Sequence, residues 1–367
     1  MTNTTPGRKK ALIAMSGGVD SSVAAWLAIQ AGYDCVGVTM KLFENETAGV
    51  PRGHPCCSLR DIQDAYQIAA RLGIPFHVAN FTRAFQEKII TPFAESYLRG
   101  QTPNPCVACN RYMKFDLLHE RAYLLGCEIV MTGHYARVAY DEADGLWRLY
   151  KSADPGKDQS YVLYHLTQDT LAHTDFPLGG LTKEQTRRIA LEQGFLNAKK
   201  HDSQDICFAP DGDYAGVIAR YAGKVCPEGD FLDPDGKKIG RHRGIIYYTI
   251  GQRRGLGISG GERLYVLEIR PDENTVIVGP ENLLFSDILY ARDFNWISVT
   301  APEGEIRVRA KIRYRHQEQP AAARVMPDGA VRVIFDTPQR AITAGQSVVL
   351  YQDDEVLGGG EIQRRDK

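Results

Sequence analysis

The sequence lacks several features that would place it in a specialised class of protein. No run of apolar residues approaches the roughly 18 needed to cross a membrane. Residues 1–10 are polar and basic, and the apolar core of a secretory signal does not follow them, so we expect a cytoplasmic protein. An excess of charge is also lacking, because 44 Lys and Arg residues oppose 45 Asp and Glu residues. With a net charge of −1, any nucleic-acid surface must be a local patch.

The eight cysteines are too few for a disulfide framework in a chain of 367 residues. Without a signal they are expected to stay reduced and available for metal or sulfur chemistry. The length corresponds to two or three domains of about 150 residues each. Hydrophobic residues make up 43% of the chain and charged residues 24%, as in ordinary soluble globular proteins.

The first half of the chain alternates apolar runs with segments of helical periodicity. This alternation predicts an α/β fold with a doubly wound parallel sheet that helices cover on both faces. Strands are predicted at 10–15, 36–40, 76–78 and 128–132. Helices are predicted at 20–31, 59–72, 81–98 with a kink at Pro92, and 115–125.

The second half changes to short β-branched runs between Gly, Pro and Asp residues. A hairpin at 136–151 and a helix at 182–193, with Thr182 and Gln185 in capping-box spacing, precede this change. The runs lie at 244–250, 263–269, 275–278, 306–314, 330–335 and 347–351. We therefore expect a catalytic domain at 1–215, a small β-rich central domain at 216–285 and a C-terminal β-barrel-like domain at 286–367.

A glycine-rich segment between the first strand and its helix has the chemistry of a phosphate site. It reads Ser16-Gly17-Gly18-Val19-Asp20-Ser21-Ser22. The glycines let the backbone approach a phosphate, and the helix N-terminus offers unpaired N–H groups. It is not a Walker A loop, because no Gly-Lys-Ser/Thr follows. The alternative is an ordinary strand-to-helix turn, which leaves the serines and the aspartate unexplained.

A second glycine pattern, at 255–260, matches the dinucleotide fingerprint only formally. A predicted strand rather than a helix follows it, whereas a dinucleotide site needs the helix N-terminus. The segment at 16–22, in contrast, resembles the PP-loop of the ATP pyrophosphatase group. The resemblance implies an enzyme that splits ATP into AMP and pyrophosphate and adenylates an oxygen of its substrate. It does not choose among the small-molecule ligases and tRNA-sulfurating enzymes of that group.

The cysteines supply the next distinction. Cys106-Val107-Ala108-Cys109 is predicted to lie in a loop made rigid by two prolines, with Arg111 and Lys114 close enough in sequence to lower a thiol pKa. Cys207 lies 98 residues after Cys109. A structural zinc site remains an alternative, although a second Cys pair is lacking, and a thioredoxin-type motif is another. Buried inert thiols explain Cys35 and Cys127, and a lesser role in metal or redox chemistry is open for Cys56 and Cys57.

Four motifs together resemble the tRNA-specific 2-thiouridylase family. They are the loop at 16–22, the segment at 102–110 (TPNPCVACN), the segment at 202–208 (DSQDICF) and the segment at 248–257. The resemblance covers the chain from Lys10 to about Leu350. It implies that ATP, with Mg²⁺, adenylates the C2 oxygen of the wobble uridine of tRNA, and that sulfur from a donor protein replaces that oxygen. Such a donor would be a cysteine desulfurase or a sulfur relay protein.

The resemblance also assigns residues to roles. Cys109 stands at the position of the nucleophile and Cys207 at that of the persulfide-forming cysteine, and the two would close a disulfide as sulfur leaves. ATP would be bound by Ala14, Met15, Ser16, Gly17, Gly18, Val19, Asp20, Ser21, Met40 and Gly133. The target base would contact Asn104, Pro105 and Cys106. Further tRNA contacts fall on His134, Lys157, Asp158, Gln159, Arg313, Tyr314 and Gln346. Asp20 is a candidate ligand for Mg²⁺.

One residue departs from the family pattern, in which aspartate stands at the position of Cys106. The change gives a triad of Cys106, Cys109 and Cys207, and three thiolates could hold a [4Fe–4S] cluster with one iron left open. The sequence therefore leaves a cluster route and a persulfide route open, and the third thiol favours the cluster.

A basic segment in the C-terminal half offers the local patch that the net charge requires. The segment at 306–315 alternates apolar and basic residues, which places its basic residues on one face of a strand. These residues are Arg307, Arg309, Lys311, Arg313 and Arg315. A phosphate backbone would explain this face. The alternative is a solvated strand whose cations pair with acidic neighbours.

These observations predict an ATP-dependent tRNA 2-thiouridylase. Two alternatives stand beside it. One is a PP-loop ligase or amidotransferase that acts on a small metabolite. The other is a non-catalytic RNA-binding protein that keeps the nucleotide loop as a switch.

Overall fold

The computed structural model describes residues 9–43, 59–200, 206–209, 212–222, 226–258, 263–298 and 300–364. Cys56 and Cys57 lie outside these residues. The chain forms two compact units that do not follow chain order. The first consists of Met1–Lys88, Cys106–Gly212 and Asp354–Leu357. The second consists of Ile89–Pro105, Asp213–Asp353 and Gly358–Lys367.

The first unit contains seven of the described strands, numbered here in chain order. They are β1 Lys10–Ala14, β2 Asp34–Lys41, β3 Phe76–Asn80, β4 Ile129–Met131, β5 Ala136–Asp141, β6 Leu146–Lys151 and β7 Thr174–Asp175. The α-helices described over the whole chain are α1 Val19–Gln30, α2 Leu59–Leu72, α3 Thr82–Phe85, α4 Thr91–Leu98, α5 Pro105–Ala108, α6 Leu118–Leu124, α7 Gln168–Ala172, α8 Lys183–Glu192 and α9 Tyr214–Ala222. Two π-helical segments, Gln86–Ile90 and Cys109–Leu117, interrupt these helices. Short 3₁₀ turns occur at Ser160–Leu163, Ile245–Tyr247 and Glu281–Leu284.

A five-stranded parallel sheet in the order β3-β2-β1-β4-β7 forms the centre of the first unit. β1 lies in the middle because its short apolar run is buried on both sides. Ala11 and Ile13 pack into the hydrophobic cluster on one face, which includes side chains of α1, α2 and α8. Leu12 packs into the cluster on the other face, which includes side chains of α6. Helices on both faces confirm the predicted doubly wound α/β fold.

The predicted helix at 115–125 begins ten residues earlier than expected. Pro105 occupies its first turn, where the missing N–H of proline costs no hydrogen bond. The helix continues through α5, the π-helical segment Cys109–Leu117 and α6. The prediction of a rigid loop at Cys106 and Cys109 is therefore wrong, because both residues lie within this helix.

The second unit contains a four-stranded sheet and a closed antiparallel barrel. Its strands are β8 Gly229–Leu232, β9 Lys238–His242, β10 Tyr265–Arg270, β11 Thr275–Gly279, β12 Phe285–Trp296, β13 Ile306–Lys311, β14 Gln319–Val325, β15 Val331–Arg340, β16 Ser347–Gln352 and, from Gly358 onward, β17 Glu355–Ile362. The sheet has the order β10-β11-β8-β9. The barrel has the order β12-β15-β14-β13-β16-β17, and β12 closes it by pairing with β17 through Ala291 and Ile362. This architecture confirms the β-rich and barrel-like regions expected from the sequence.

The predicted strand at 244–250 is wrong. Gly244 has a φ of +124°, a conformation that ends an extended segment, and a 3₁₀ turn follows at Ile245–Tyr247. Ile245 and Ile246 are buried. Their apolar character therefore reports burial rather than membership of a sheet, an ambiguity of short apolar runs. Among the residues that the structure describes, no helix has the length and apolar character needed to cross a membrane.

The capping box of α8 gives a test of the fold. Thr182 Oγ1 accepts a hydrogen bond from the Gln185 N–H at 3.2 Å, and Gln185 Oε1 accepts one from the Thr182 N–H at 2.7 Å. We expect Thr182→Ala to destabilise the helix locally by about 1 kcal/mol, because the first turn loses an acceptor. Amide hydrogen exchange over Lys183–Glu192 measures this effect. Thr300→Ala, at an exposed position, is the control, and equal exchange in both variants would contradict the prediction.

Candidate active site

The glycine-rich segment lies at the carboxyl end of β1, where the strand order of the sheet reverses. β1 pairs in parallel with β2 on one side and with β4 on the other. Ligands of open α/β sheets bind outside the carboxyl ends of strands at such a point. Gly17 has a φ of +74°, and Gly18 is the N-cap of α1 without a side-chain cap. The loop therefore presents an open helix N-terminus at this edge.

Serine side chains hold the loop from within. The Ser16 N–H donates to Ser21 Oγ at 3.2 Å, and Ser21 Oγ donates to the Gly18 carbonyl at 3.0 Å. Ser22 Oγ donates to the same carbonyl at 3.0 Å. These contacts explain why the sequence repeats serine after the aspartate. They also fix the backbone that a phosphate would contact.

Gly133, which follows β4, reaches the loop from the neighbouring strand. A Cβ atom at this position would lie 2.8 Å from the Asp20 carbonyl carbon and 2.8 Å from the Ser21 nitrogen. Only glycine therefore permits this approach. Ala14 ends β1, Met15 donates its N–H to the Val38 carbonyl at 2.9 Å, and Met40 lies near the end of β2. The residues expected to bind ATP thus all follow or end β1, β2 and β4, or begin α1.

Asp20, the candidate ligand for Mg²⁺, is already paired. Lys183 Nζ donates to its two carboxylate oxygens at 2.7 and 2.8 Å. The Tyr135 hydroxyl lies 2.9 Å from Asp20 Oδ1 and 3.0 Å from Thr186 Oγ1. The Asp20 carboxylate therefore pairs with the ammonium of Lys183 at the start of α8. This pairing does not fit the role of a Mg²⁺ ligand.

Two further side chains, Asn197 and Lys200, contact the loop from a distant part of the sequence. Asn197 Nδ2 donates to the Gly17 carbonyl at 3.1 Å and to Ser22 Oγ at 2.9 Å. Lys200 Nζ donates to the Gly17 carbonyl at 3.2 Å. Sequence reasoning missed both residues, together with Lys183 and Tyr135. No local pattern could identify them, because between 115 and 183 residues separate the partners.

The two cysteines of the C-x-x-C motif differ in exposure although they lie three residues apart on one helix. Cys106 is exposed and Cys109 is half-buried. Burial raises the pKa of the Cys109 thiol to about 11, the nearby Lys114 lowers it, and Cys106 raises it. The expectation that neighbouring cations make Cys109 a thiolate is therefore wrong for this arrangement, because burial outweighs Lys114.

Cys207, like Cys109, is half-buried. Both, together with Cys106, belong to the first unit. Within the described part of the chain, which includes these thiols, no group of three or more His, Cys, Asp or Glu side chains could hold a metal ion. The described residues therefore do not provide the three-thiolate site that a [4Fe–4S] cluster requires. They fit neither the cluster nor a zinc site at the C-x-x-C motif.

Three family models match successive parts of the chain. Residues 9–211 match the family model described as the tRNA methyl transferase HUP domain. Residues 215–280 match the tRNA methyl transferase PRC-barrel domain, and residues 286–362 match the aminomethyltransferase β-barrel domain. A protein named tRNA-specific 2-thiouridylase MnmA from Clostridioides difficile (strain 630) is 48% identical over 97% of this chain and 98% of its own length.

The chain belongs to the tRNA-specific 2-thiouridylase family. A second member, named tRNA-specific 2-thiouridylase MnmA from Carboxydothermus hydrogenoformans, is 47% identical over 98% of this chain and 99% of its own length. Among solved structures, a 4-thiouridine synthetase–RNA complex with bound ATP is 18% identical, with a TM-score of 0.35. It covers 59% of this chain and 52% of that chain. The two 2-thiouridylases confirm the family that the motifs indicate.

Several residues that the 2-thiouridylase resemblance assigns to tRNA have partners within the first unit. His134 is buried, its Nε2 lies 3.2 Å from Lys114 Nζ, and its Nδ1 lies 2.6 Å from Thr132 Oγ1. Burial lowers the pKa of His134 well below its usual value, and Lys114 lowers it further, so the imidazole is neutral. The neutral ring therefore accepts a hydrogen bond from the Lys114 ammonium through Nε2 and donates one to Thr132 Oγ1 through Nδ1.

The neighbouring segment at 157–159 is likewise held by its own fold. The side chain of Asp158 accepts hydrogen bonds from the Ser152 N–H at 3.1 Å and from Ser160 Oγ at 2.8 Å. Gln159 Oε1 accepts one from the Tyr135 N–H at 2.9 Å. The Lys157 N–H donates to the Asp154 carbonyl at 3.1 Å. The backbone of this segment is therefore rigidly placed beside Tyr135.

Gln346, Arg313 and Tyr314, which the resemblance assigns to tRNA, lie in the second unit. Gln346 Nε2 donates to the Thr102 carbonyl at 2.6 Å, which ties the start of β16 to the segment that contains Asn104 and Pro105. Arg313 and Tyr314 follow the end of β13, where Arg313 Nη2 donates to the Arg340 carbonyl at 3.0 Å. Tyr314 is 39% exposed, which leaves part of its ring accessible.

The basic face predicted for 306–315 is wrong in its extent. β13 ends at Lys311, so Arg313 and Arg315 do not belong to the strand. Arg307 donates two hydrogen bonds to Asp336 at 2.9 and 2.6 Å, and Arg309 lies 3.5 Å from a carboxylate oxygen of Glu318. The alternative of a strand whose cations pair with acidic neighbours is therefore correct for these two arginines.

Gly133 gives a direct test of the nucleotide site. We expect Gly133→Ala to weaken ATP binding by about tenfold or more, because the added Cβ displaces the backbone at Asp20 and Ser21. Calorimetric titration with a non-hydrolysable ATP analogue measures the loss. Gly180→Ala is the matched control, since its Cβ would enter open space. Unchanged affinity in Gly133→Ala would contradict this placement of the site.

The environment of Cys109 predicts slow alkylation. Because burial raises the pKa of Cys109, its reactive thiolate fraction at pH 8 is small, so iodoacetamide should modify Cys106 first. The rate at Cys109 should still rise between pH 8 and pH 10. Lys114→Met should slow alkylation of Cys109 further, because the ammonium lowers that pKa. Peptide mass spectrometry resolves the sites, and equal rates at Cys106 and Cys109 would refute the assignment.

Proposed function

We propose that this protein catalyses the ATP-dependent 2-thiolation of the wobble uridine of tRNA. What supports the proposal most is coverage, because proteins named tRNA-specific 2-thiouridylase match 97–98% of the chain at 47–48% identity. The nucleotide loop and the thiols Cys106, Cys109 and Cys207 also lie in one compact unit. A small-metabolite ligase and a non-catalytic RNA-binding protein are not favoured, because neither accounts for this full-length match.

The first step activates the base. The C2 oxygen of the uracil attacks the α-phosphorus of ATP, the bond to the β-phosphate oxygen breaks, and pyrophosphate leaves. The loop from Ser16 to Ser21 would bind the phosphates through its backbone N–H groups, and Gly133 lets the loop close against the neighbouring strand. Donors aimed at charge that develops on a phosphate commonly supply a large share of the rate enhancement. Mg²⁺, when bound with ATP, would neutralise phosphate charge.

The second step replaces oxygen by sulfur. A donor protein, a cysteine desulfurase or a sulfur relay protein, first converts Cys207 to a persulfide. The terminal sulfur attacks C2, and AMP leaves with the former uracil oxygen. Cys109 then attacks Sγ of Cys207, so that the sulfur–sulfur bond to the base breaks and a Cys109–Cys207 disulfide forms. A thiol reductant restores both cysteines. Iron takes no part in these steps.

The remaining residues are assigned within the same proposal. Asn104, Pro105 and Cys106 would contact the target base. His134, Lys157–Gln159, Arg313, Tyr314 and Gln346 would contact other parts of the tRNA. The partly exposed Tyr314 and the bond from Gln346 to Thr102 support the assignment for the second unit.

The domain roles follow from these assignments. Residues 1–215 would carry out the chemistry, and the regions 216–285 and 286–367 would bind tRNA. We place the enzyme in the cytoplasm, where a reducing compartment would keep the thiols of Cys109 and Cys207 available for sulfur chemistry.

The test is thiolation of a wobble-uridine tRNA by iron-free protein supplied with ATP and a persulfide donor. We expect 2-thiouridine and AMP in equal amounts. Cys109→Ser and Cys207→Ser should abolish 2-thiouridine, because each removes a thiol that forms a bond. Cys106→Asp should retain activity, since it restores the residue usual in the family.

Cys226→Ser is the control, because Cys226 belongs to the second unit and takes no part in the mechanism. AMP release that is independent of tRNA would refute the proposed substrate. Activity that appears only after anaerobic reconstitution with iron and sulfide would refute the persulfide route and support the cluster.

A further inference from the structure

Two consecutive carbonyl groups of the nucleotide loop are held by hydrogen bonds. The Gly17 oxygen accepts from Asn197 Nδ2 at 3.1 Å and from Lys200 Nζ at 3.2 Å. A carbonyl oxygen has two lone pairs, so both are occupied. The Gly18 oxygen accepts from the hydroxyls of Ser21 and Ser22, each at 3.0 Å, and from the Ser22 N–H at 3.3 Å.

The direction of these carbonyls determines the direction of the next two N–H groups. A trans peptide is planar, so its C=O and N–H point to opposite sides, and none of the described peptide bonds is cis. Fixing the oxygens of Gly17 and Gly18 therefore fixes the N–H groups of Gly18 and Val19 on the other side. None of the described residues accepts a hydrogen bond from these two N–H groups. They are the open donors at the start of α1.

The positive charge of Lys200 is neutralised by two carboxylates of the protein itself. Its Nζ donates to Asp61 Oδ1 at 2.6 Å and to Asp64 Oδ2 at 2.8 Å. Burial lowers the pKa of Lys200, but the bonds to Asp61 and Asp64 outweigh burial and raise it, so the ammonium persists. With two carboxylates beside it, Lys200 contributes little attraction for an anion at a distance. The hydrogen bond from Lys200 to the Gly17 carbonyl therefore acts by orienting that carbonyl group rather than by attracting the ligand.

We propose that Asn197 and Lys200 are positioning residues for the phosphates of ATP. They hold the Gly17 carbonyl so that the N–H groups that follow face the ligand before it arrives. Preorganised donors bind more tightly because no ordering cost remains at the moment of binding. The inference rests on the proposed function only in taking ATP as the ligand.

The test compares pyrophosphate with adenosine as probes of the full-length protein. Lys200→Met should weaken pyrophosphate binding by about tenfold, equivalent to about 1.4 kcal/mol, and leave adenosine binding unchanged. Asn197→Asp should have a similar effect, because a carboxylate cannot donate to the Gly17 carbonyl. Lys199→Met is the matched control, since Lys199 is adjacent and exposed, and it should change neither affinity.

A second variant separates positioning from folding. Lys200→Met leaves the buried Asp61 carboxylate without its cation, so the protein should lose stability. Lys200→Met combined with Asp61→Asn removes that charge and should restore part of the thermal stability, while pyrophosphate binding stays weak.

Three outcomes would overturn the inference. They are unchanged pyrophosphate affinity in folded Lys200→Met and Asn197→Asp, an equal loss of adenosine affinity, and recovery of pyrophosphate affinity in the double variant. The proposed function fails separately, if the wild type binds pyrophosphate normally but forms no 2-thiouridine.

Discussion

Strand β1 pairs in parallel with β2 on one side and β4 on the other, and the position of the nucleotide site follows from that pairing. Parallel strands bring their carboxyl ends to one edge of the sheet. The register places Ile13 beside Met131, so the segments after the two strands leave the sheet together. The loop after β1 and Gly133 after β4 therefore meet, although more than a hundred residues separate them. Only glycine at 133 allows the backbones to approach so closely.

Polar networks, in addition to the apolar packing of Met15 and Val19, hold the loop in place. Lys183 pairs with Asp20, and Lys200 pairs with Asp61 and Asp64. Asp61 is buried, and a buried ion pair stabilises a protein only while both partners are present. Such pairs define one geometry, because every donor and acceptor must be matched. Backbone N–H groups can bind a phosphate only when the loop has one well-defined conformation. For such a site this matters more than burying additional apolar surface.

The cysteines show how burial and charge compete at a reactive group. The basic residues after Cys109 suggest an activated thiolate, yet burial raises its pKa to about 11 despite Lys114. Lys114 is also shared, since its ammonium lies 3.2 Å from the neutral ring of His134. The thiol is thus protected in this arrangement. Binding of tRNA would bring phosphate charge and displace water, and it would thereby change both the burial and the charge that set the pKa of Cys109.

Local periodicity and short motifs were sufficient to predict the α/β sheet, the β-rich second half, the nucleotide loop and the family, because these signals lie in residues close together in the chain. Periodicity identified β1, α1 and the capped helix α8, and the serines and glycines of the loop identified its chemistry. The predictions of a long basic strand and of a rigid cysteine loop were wrong. The pairing of Arg307 with Asp336 and the start of the helix at Pro105 depend on neighbours that local sequence patterns do not contain. The contacts of the loop with Asn197, Lys200, Lys183 and Tyr135 could be found only in the folded arrangement. Their partners lie far away in sequence, and a hydrogen bond of about 3 Å carries no local signal.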